Sequence, residues 1–169
     1  KIILNKEQSD VFNIITQSMN QKQYSPYLLH GITGSGKTEI YIKLAHEIIA
    51  RNQTMLMLVP EISLTPQLSQ KFIDTFGDKI GLWHSKLTKS EKYKTWKNII
   101  NEKYSIIIGA RSAIFSPLMN LGLIVIDEEH DSSYKQESST FKYHARDVAM
   151  IRAKYSNSTI VLGSATPSM

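Results

Sequence analysis

The stretch Gly31-Ile-Thr-Gly-Ser-Gly-Lys-Thr38 satisfies the phosphate-loop pattern G-x-x-x-x-G-K-[ST] at every required position. Such a loop works between a strand and a helix, so it fixes local topology as well as ligand class. Gly31, Gly34 and Gly36 let the backbone bend tightly enough to aim a row of N–H donors at a polyanion, with Thr33 and Ser35 in the same loop. Lys37 is expected to reach the outer phosphates and Thr38 to offer its hydroxyl to Mg²⁺, while the next helix presents its positive end to the same phosphates. The expected ligand is a nucleoside triphosphate.

The flanks have the required character. Tyr27-Leu28-Leu29-His30 suits a buried strand, and Ile40, Leu44 and Ile48, with Tyr41, Ala45 and Ile49, repeat at helical spacing. Upstream, Asn5-Lys-Glu-Gln8 opens a helix as a capping arrangement. Gln8 has a second reading, because an amide with one donor and one acceptor face matches the N6 and N7 edge of adenine. Downstream, Thr54-Met-Leu-Met-Leu-Val59, Ile80-Gly-Leu-Trp83, Ser105-Ile-Ile-Ile108, Leu123-Ile-Val-Ile126 and Thr159-Ile-Val-Leu162 read as further strands. Helices are expected after Thr65-Pro66, closed by Gly77, after the capping box Thr88-Lys-Ser-Glu91, and from Arg146 to Tyr155. Strands alternating with helices predict an α/β domain with a mainly parallel sheet, helices on both faces and right-handed crossovers. Asp131 to Tyr143 is the least regular part.

With 169 residues and 41% hydrophobic content, one domain with a real core is expected. Lys and Arg number 20 against 15 acidic residues, a net charge of +5 that is compatible with a polyanionic partner. The absence of cysteine excludes disulfides and thiolate metal sites within the chain. No apolar run approaches membrane-spanning length, and the start lacks a secretory layout, so a soluble cytoplasmic protein is expected. The chain begins at Lys1 and stops directly after Ser164-Ala-Thr-Pro-Ser-Met169, and is expected to be a fragment of something longer.

Asp127-Glu128-Glu129-His130 follows an apolar strand, which puts the carboxylates at the strand's C-terminal end, where ligands bind in open α/β sheets. Asp127 is placed to hold Mg²⁺ through water together with Thr38, and Glu128 to orient or deprotonate an attacking water. A solvated acidic turn is the plainer alternative. Gly163-Ser164-Ala165-Thr166 also follows a strand, and reads either as a polar turn or as a link from the nucleotide site to a bound partner. His84 and His144 have no metal-ligand spacing around them and read as structural.

Taken in order, Gln8, the loop Gly31 to Thr38, Asp127-Glu-Glu-His130 and Ser164-Ala-Thr166 resemble the first motor domain of a superfamily 2 helicase. Leu58-Val-Pro-Glu-Ile-Ser-Leu-Thr-Pro-Gln67, Trp83-His-Ser85, Gly109-Ala-Arg-Ser-Ala-Ile-Phe115, Asp127 to Gln136 and Ala145-Arg-Asp147 narrow the resemblance to the bacterial primosomal replication-restart helicases. Ala110 departs from that pattern, where threonine is expected.

The resemblance implies a RecA-like P-loop domain of a DNA-dependent ATPase that moves 3′ to 5′ on single-stranded DNA, acts at stalled forks and helps reload replication. ATP and Mg²⁺ are the implied cofactors. Forked and single-stranded DNA, primosome proteins and single-strand-binding protein are the implied partners, with no membrane. It also implies a DNA-binding region before this domain, and a second motor domain with an arginine finger and a zinc-binding insertion after it, so this piece alone is expected to hydrolyse ATP very slowly.

The residues marked for DNA contact or coupling are Ser63, Thr65, Gln67, Arg111, Ser112, His130, Tyr134, Lys135, Phe141, Lys142, Arg146, Ser164 and Thr166. Arg111 reads either as a backbone-phosphate contact or as a surface ion-pair residue. Tyr134 to Tyr143 interleaves aromatics and lysines like a stacking platform, and resembles the aromatic-rich loop that couples DNA to hydrolysis in replication-restart and RecQ helicases. A surface loop whose Phe141 and Tyr143 pack on the domain is the alternative. A RecQ-like or restriction-type translocase, and a nucleotide-gated module without catalysis, remain open readings of the whole.

Overall fold

The computed structural model describes residues 2–32, 34–61, 66–138 and 140–165. Six parallel strands form the central sheet: β1 (Ser25–His30), β2 (Thr54–Leu58), β3 (Ile80–Trp83), β4 (Ile106–Gly109), β5 (Leu121–Ile126) and, after a short antiparallel pair of β6 (Lys135–Gln136) and β7 (Tyr143–His144), β8 (Thr159–Ser164). Their spatial order is β1-β8-β5-β2-β4-β3. The helices are α1 (Lys6–Gln21), α2 (Lys37–Ala50), α3 (Pro66–Phe76), α4 (Lys89–Ile100) and α5 (Ala145–Tyr155).

Continuous apolar strands require cover on both faces, and the pleat divides them as that requires. Met55, Met57 and Val59 join Ile15 of α1, Leu44 of α2 and Phe72 of α3 in one cluster. Leu56 and Leu58, facing the other way, meet Ile99 of α4 and Ala149 of α5. The domain is therefore α/β with helices on both faces of a parallel sheet, as the alternation of strands and helices predicts, and agrees with the RecA-like fold that the resemblance implies.

Two boundaries differ from the sequence reading in ways that matter. β8 continues past Leu162 through Gly163 and Ser164, because those residues pair with Leu29 and His30 of β1. They are strand residues rather than the turn after a strand. The irregular stretch also holds more order than expected: a 3₁₀ turn over Ser132–Tyr134 and the β6–β7 pair. Pro26 is accommodated because β1 is an edge strand.

The caps form as the sequence indicates. Asn5 and Gln8 exchange both bonds of a capping box at α1, and Thr88 and Glu91 do so at α4. His144 caps α5, its Nδ1 accepting from the Arg146 N–H at 3.2 Å, a structural role for that ring. The Glu91 carboxylate accepts from the Thr88 backbone N–H (2.7 Å) and hydroxyl (2.8 Å), and these bonds hold its pKa below the ordinary value. A depressed carboxylate stabilises the fold above its unfolded pKa, and that contribution is lost as pH falls through the folded value. Thr88→Ala removes the hydroxyl that caps the Glu91 N–H and should cost about 1 kcal/mol at neutral pH; the backbone N–H bond to the carboxylate stays, and the part of the deficit that belongs to the hydroxyl–carboxylate bond is lost in acid. Urea titrations at pH 7 and pH 3.5 check this, and an equal deficit at both would contradict it.

Candidate nucleotide-binding site

Strand order brings the chemistry together. β8 lies between β1, which leads into the phosphate loop, and β5, which leads into the acidic residues. Past the strand ends the ladder continues on both sides: the Gly31 N–H donates to the Ser164 carbonyl (3.0 Å), and the Glu129 N–H donates to the Gly163 carbonyl (2.9 Å). On the far side of β5 the Asp127 N–H donates to the Leu58 carbonyl at 2.9 Å. Loop and acid box are thus held on one C-terminal sheet edge.

The loop has the backbone its glycines predict. Gly34 and Gly36 sit at φ +83° and +84°, in the left-handed region that favours glycine. A Cβ at Gly36 would also strike the Gln8 amide. Lys37 is 8% exposed, and its Nζ donates to the carbonyls of Gly31 (2.5 Å) and Ile32 (3.4 Å). The ammonium lies folded over its own loop. Thr38 is half-buried in the first turn of α2. A cleft of about 300 Å³ is lined by Gln8, Gly31, Ser35 and Lys37, among others. Thr33 lies outside the described residues.

Gln8 resolves toward its capping role. Its Oε1 accepts from the Asn5 N–H (2.9 Å), and its Nε2 donates to the Ser35 carbonyl (3.0 Å). These bonds tie α1 to the phosphate loop and leave the amide oxygen one further acceptor position and the nitrogen one further donor.

Asp127 is held by two tyrosines that sequence reasoning did not single out for this role. The Tyr41 hydroxyl donates to Oδ1 at 3.0 Å, and the Tyr134 hydroxyl to the Asp127 carbonyl at 2.5 Å. Both rings are fully buried. Burial also raises the Asp127 pKa above the ordinary carboxylate value, against the bond from Tyr41 and the charge of Lys37, which lower it. Burial and the nearby carboxylate hold both phenols up as well. A tyrosine in an apolar helical stripe reads as core from sequence, and the polar tip gives no signal until a partner is known.

Glu128 adopts φ +49°, a costly conformation for a residue with a Cβ, and strain of this kind gathers at functional sites. Its Oε2 lies 3.7 Å from His130 Nε2, and His130 Nδ1 lies 3.1 Å from the Ser164 hydroxyl. His130 therefore stands between Glu128 and Ser164 of β8. Glu129 is 3% exposed and receives Arg146 Nη1 at 3.0 Å, a bond that raises the Arg146 pKa. Arg146 is engaged inside the chain rather than offered to a polyanion.

The outer residues need correction in several places. Tyr134 cannot serve as a stacking surface, because it is buried beneath Asp127. Arg111 is neither a surface ion pair nor a free cation: its Nη1 donates to the carbonyls of Ser133 (3.0 Å) and Lys135 (2.5 Å), clasping the turn that carries Tyr134. The Ser112 hydroxyl accepts from the Trp83 indole at 3.0 Å. Gln67, Lys135, Phe141 and Lys142 are exposed. Phe141 lies 5.6 Å from Tyr143 and 6.4 Å from Phe115, ring centre to ring centre, so the packing alternative holds in part while two thirds of Phe141 faces solvent. Ser63, Thr65 and Thr166 lie outside the described residues.

A RecA-like sheet with a phosphate loop after β1 and an acidic box after β5 defines a P-loop motor-type domain. The chain belongs to the family described as "Type III restriction enzyme, res subunit", whose model matches residues 1–169. It is 46% identical to "Replication restart protein PriA" of Bacillus subtilis (strain 168) over 166 residues, 98% of this chain and 20% of that protein. It is 53% identical to the protein of the same name from Synechocystis sp. over 146 residues, 86% of this chain and 18% of the relative. The chain thus spans about a fifth of the length of these curated relatives. In fold it is similar to "Structure of RecG bound to three-way DNA junction" (TM-score 0.73, 22% identity, 99% of this chain, 21% of that one). A second neighbour is "Crystal structure of Pyrococcus furiosus Hef helicase domain" (TM-score 0.62, 20% identity, 99% and 35%).

Arg111→Ala should free the turn from Ser132 to Gln136, speeding amide hydrogen exchange there while exchange in β2 and β5 stays unchanged. An unchanged exchange pattern would contradict the clasp.

Proposed function

We propose that this domain binds and hydrolyses ATP as part of a replication-restart DNA helicase. The observation that carries the reading is the direct bond between the phosphate-loop helix and the acid box, Tyr41 to Asp127 at 3.0 Å, which supports a single site shared by the two motifs. Among the readings open at the start, identity of 46% and 53% to replication restart proteins favours this one over a restriction-type motor.

The residues fit both groups. A buried carboxylate whose pKa is raised by desolvation gains from a cation, and an oxygen donor suits Mg²⁺. Left-handed Gly34 and Gly36 allow a backbone cradle for phosphate oxygens. Bound Mg²⁺ would supply charge neutralisation at the triphosphate. Thr38 and Asp127 would hold it. Lys37 exchanges the carbonyls of Gly31 and Ile32 for the outer phosphates, giving the ammonium a charged partner in place of neutral ones. Glu128, fixed by its own backbone and by His130, orients the attacking water and takes its proton.

DNA is read as lying across the exposed aromatic and lysine residues of the 135–143 segment, where Phe141 offers a face for a base and Lys135 and Lys142 offer charge. The remaining attributes follow the family resemblance: 3′ to 5′ movement, action on forked DNA with primosome and single-strand-binding proteins, a cytoplasmic setting, and zinc held outside this chain. Among the described residues no helix is long and apolar enough to cross a membrane.

In the intact protein, Lys37→Ala should abolish detectable nucleotide binding. Glu128→Gln should keep binding and lose turnover by about 10²-fold or more; a Glu128→Gln protein that still unwinds would refute the catalytic assignment. Phe141→Ala should weaken single-stranded DNA binding by about tenfold and lower DNA-stimulated hydrolysis at limiting DNA, with the DNA-independent rate as the control. Stimulation at the wild-type DNA concentration would remove Phe141 from the DNA path.

A further inference from the structure

We propose that Tyr41 is a positioning residue for Asp127, its buried hydroxyl fixing the rotation of the carboxylate, and that Gly163 keeps open the space in which the two groups meet. This role rests on the ATP-site reading given above.

Tyr41 is fully buried on the face of α2 that also carries Leu44, Ala45 and Ile48. A phenylalanine would satisfy that packing, and burying a hydroxyl is unfavourable unless it finds a partner. Its partner is Asp127 Oδ1. Tyr41 stands three residues after Thr38, one helical turn further along the same face, so the helix that opens with the phosphate-binding residues also grips the acid. The Tyr134 hydroxyl holds the main-chain carbonyl of the same residue. Side chain and backbone of Asp127 are therefore fixed from two elements far apart in sequence.

Gly163 supplies an independent sign that this junction is built. Its φ is not in the left-handed region, so glycine is not needed there for backbone freedom. Space is the constraint: an added Cβ would overlap the Tyr41 hydroxyl and come within 2.9 Å of Asp127 Oδ1. The residue that meets Leu29 across the β1–β8 ladder has no side chain because the tyrosine-carboxylate bond occupies that volume. Phosphate-loop helix, acid box and β8 share a single contact point.

A carboxylate that must accept metal-bound water in one orientation loses affinity when it can rotate, whereas a phosphate loop binding nucleotide without metal does not use that orientation. The test titrates a fluorescent ATP analogue into the intact protein at rising Mg²⁺, and again in EDTA. Tyr41→Phe keeps the ring and removes the hydroxyl. We expect EDTA binding within about twofold of wild type, and a Mg²⁺ concentration for half-maximal effect raised about tenfold, the scale of one hydrogen bond to a charged group. Gly163→Ala should raise that concentration too, but by a smaller factor when built on Tyr41→Phe, because the hydroxyl it strikes is gone.

Tyr41→Phe with wild-type Mg²⁺ dependence, or additive effects in the double variant, would overturn the positioning role while leaving the ATP site intact. A wild-type protein with no Mg²⁺-dependent nucleotide binding would instead remove the underlying reading, and this role with it.

Discussion

The place of β8 between β1 and β5 is the constraint on which the site depends. Hydrogen-bond ladders hold strands at a fixed spacing, so a strand shared by two neighbours fixes their ends relative to each other. Here the left neighbour ends in the phosphate loop and the right neighbour in Asp127, and the shared strand ends in Gly163 and Ser164. Bonds from Gly31 and Glu129 to the last carbonyls of β8 extend that rigidity beyond the strands themselves. Phosphate loop and acid box are thereby mounted on backbone with little freedom, which suits the proposed chemistry, where placement and charge count for more than new covalent bonds.

Around this frame the side chains form a closed set of local contacts. Lys37 rests on Gly31 and Ile32, Gln8 ties α1 to Ser35, Tyr41 ties α2 to Asp127, and His130 spans from Glu128 to Ser164. Outside them, Arg111 clasps the turn that carries Tyr134, and Tyr134 reaches back to the carbonyl of Asp127. The aromatic segment and the acid box are joined through this turn. Loop residues such as Phe141 stay in solvent while their base is anchored inside the domain.

The legible parts of the sequence were those set by local chemistry. The strand and helix that flank the phosphate loop, the capping boxes at Asn5 and Thr88, and the strand at Ile80 to Trp83 each depend on residues close together in the chain, and each formed as read. Long-range pairing was less accessible. Gly163 and Ser164 read as a turn because nothing local shows that Leu29 and His30 will pair with them. Tyr41 and Tyr134 read as core and as a stacking group, since their roles are set by a carboxylate and a carbonyl whose positions only the fold supplies. Arg111 has a role of the same kind: two backbone carbonyls of a turn accept from its Nη1, and nothing local in the sequence announces them. The site residues with internal partners were the ones sequence placed least well.

The measurement that bears most directly on the account is a crystal structure of the intact protein with a non-hydrolysable ATP analogue and Mg²⁺. The account predicts that Lys37 leaves the carbonyls of Gly31 and Ile32 for the terminal phosphates, and that the metal lies between the Thr38 hydroxyl and the Asp127 carboxylate, with Tyr41 still bonded to Oδ1. A nucleotide bound away from this sheet edge, or a Lys37 that stays on its own loop with the metal held elsewhere, would contradict it.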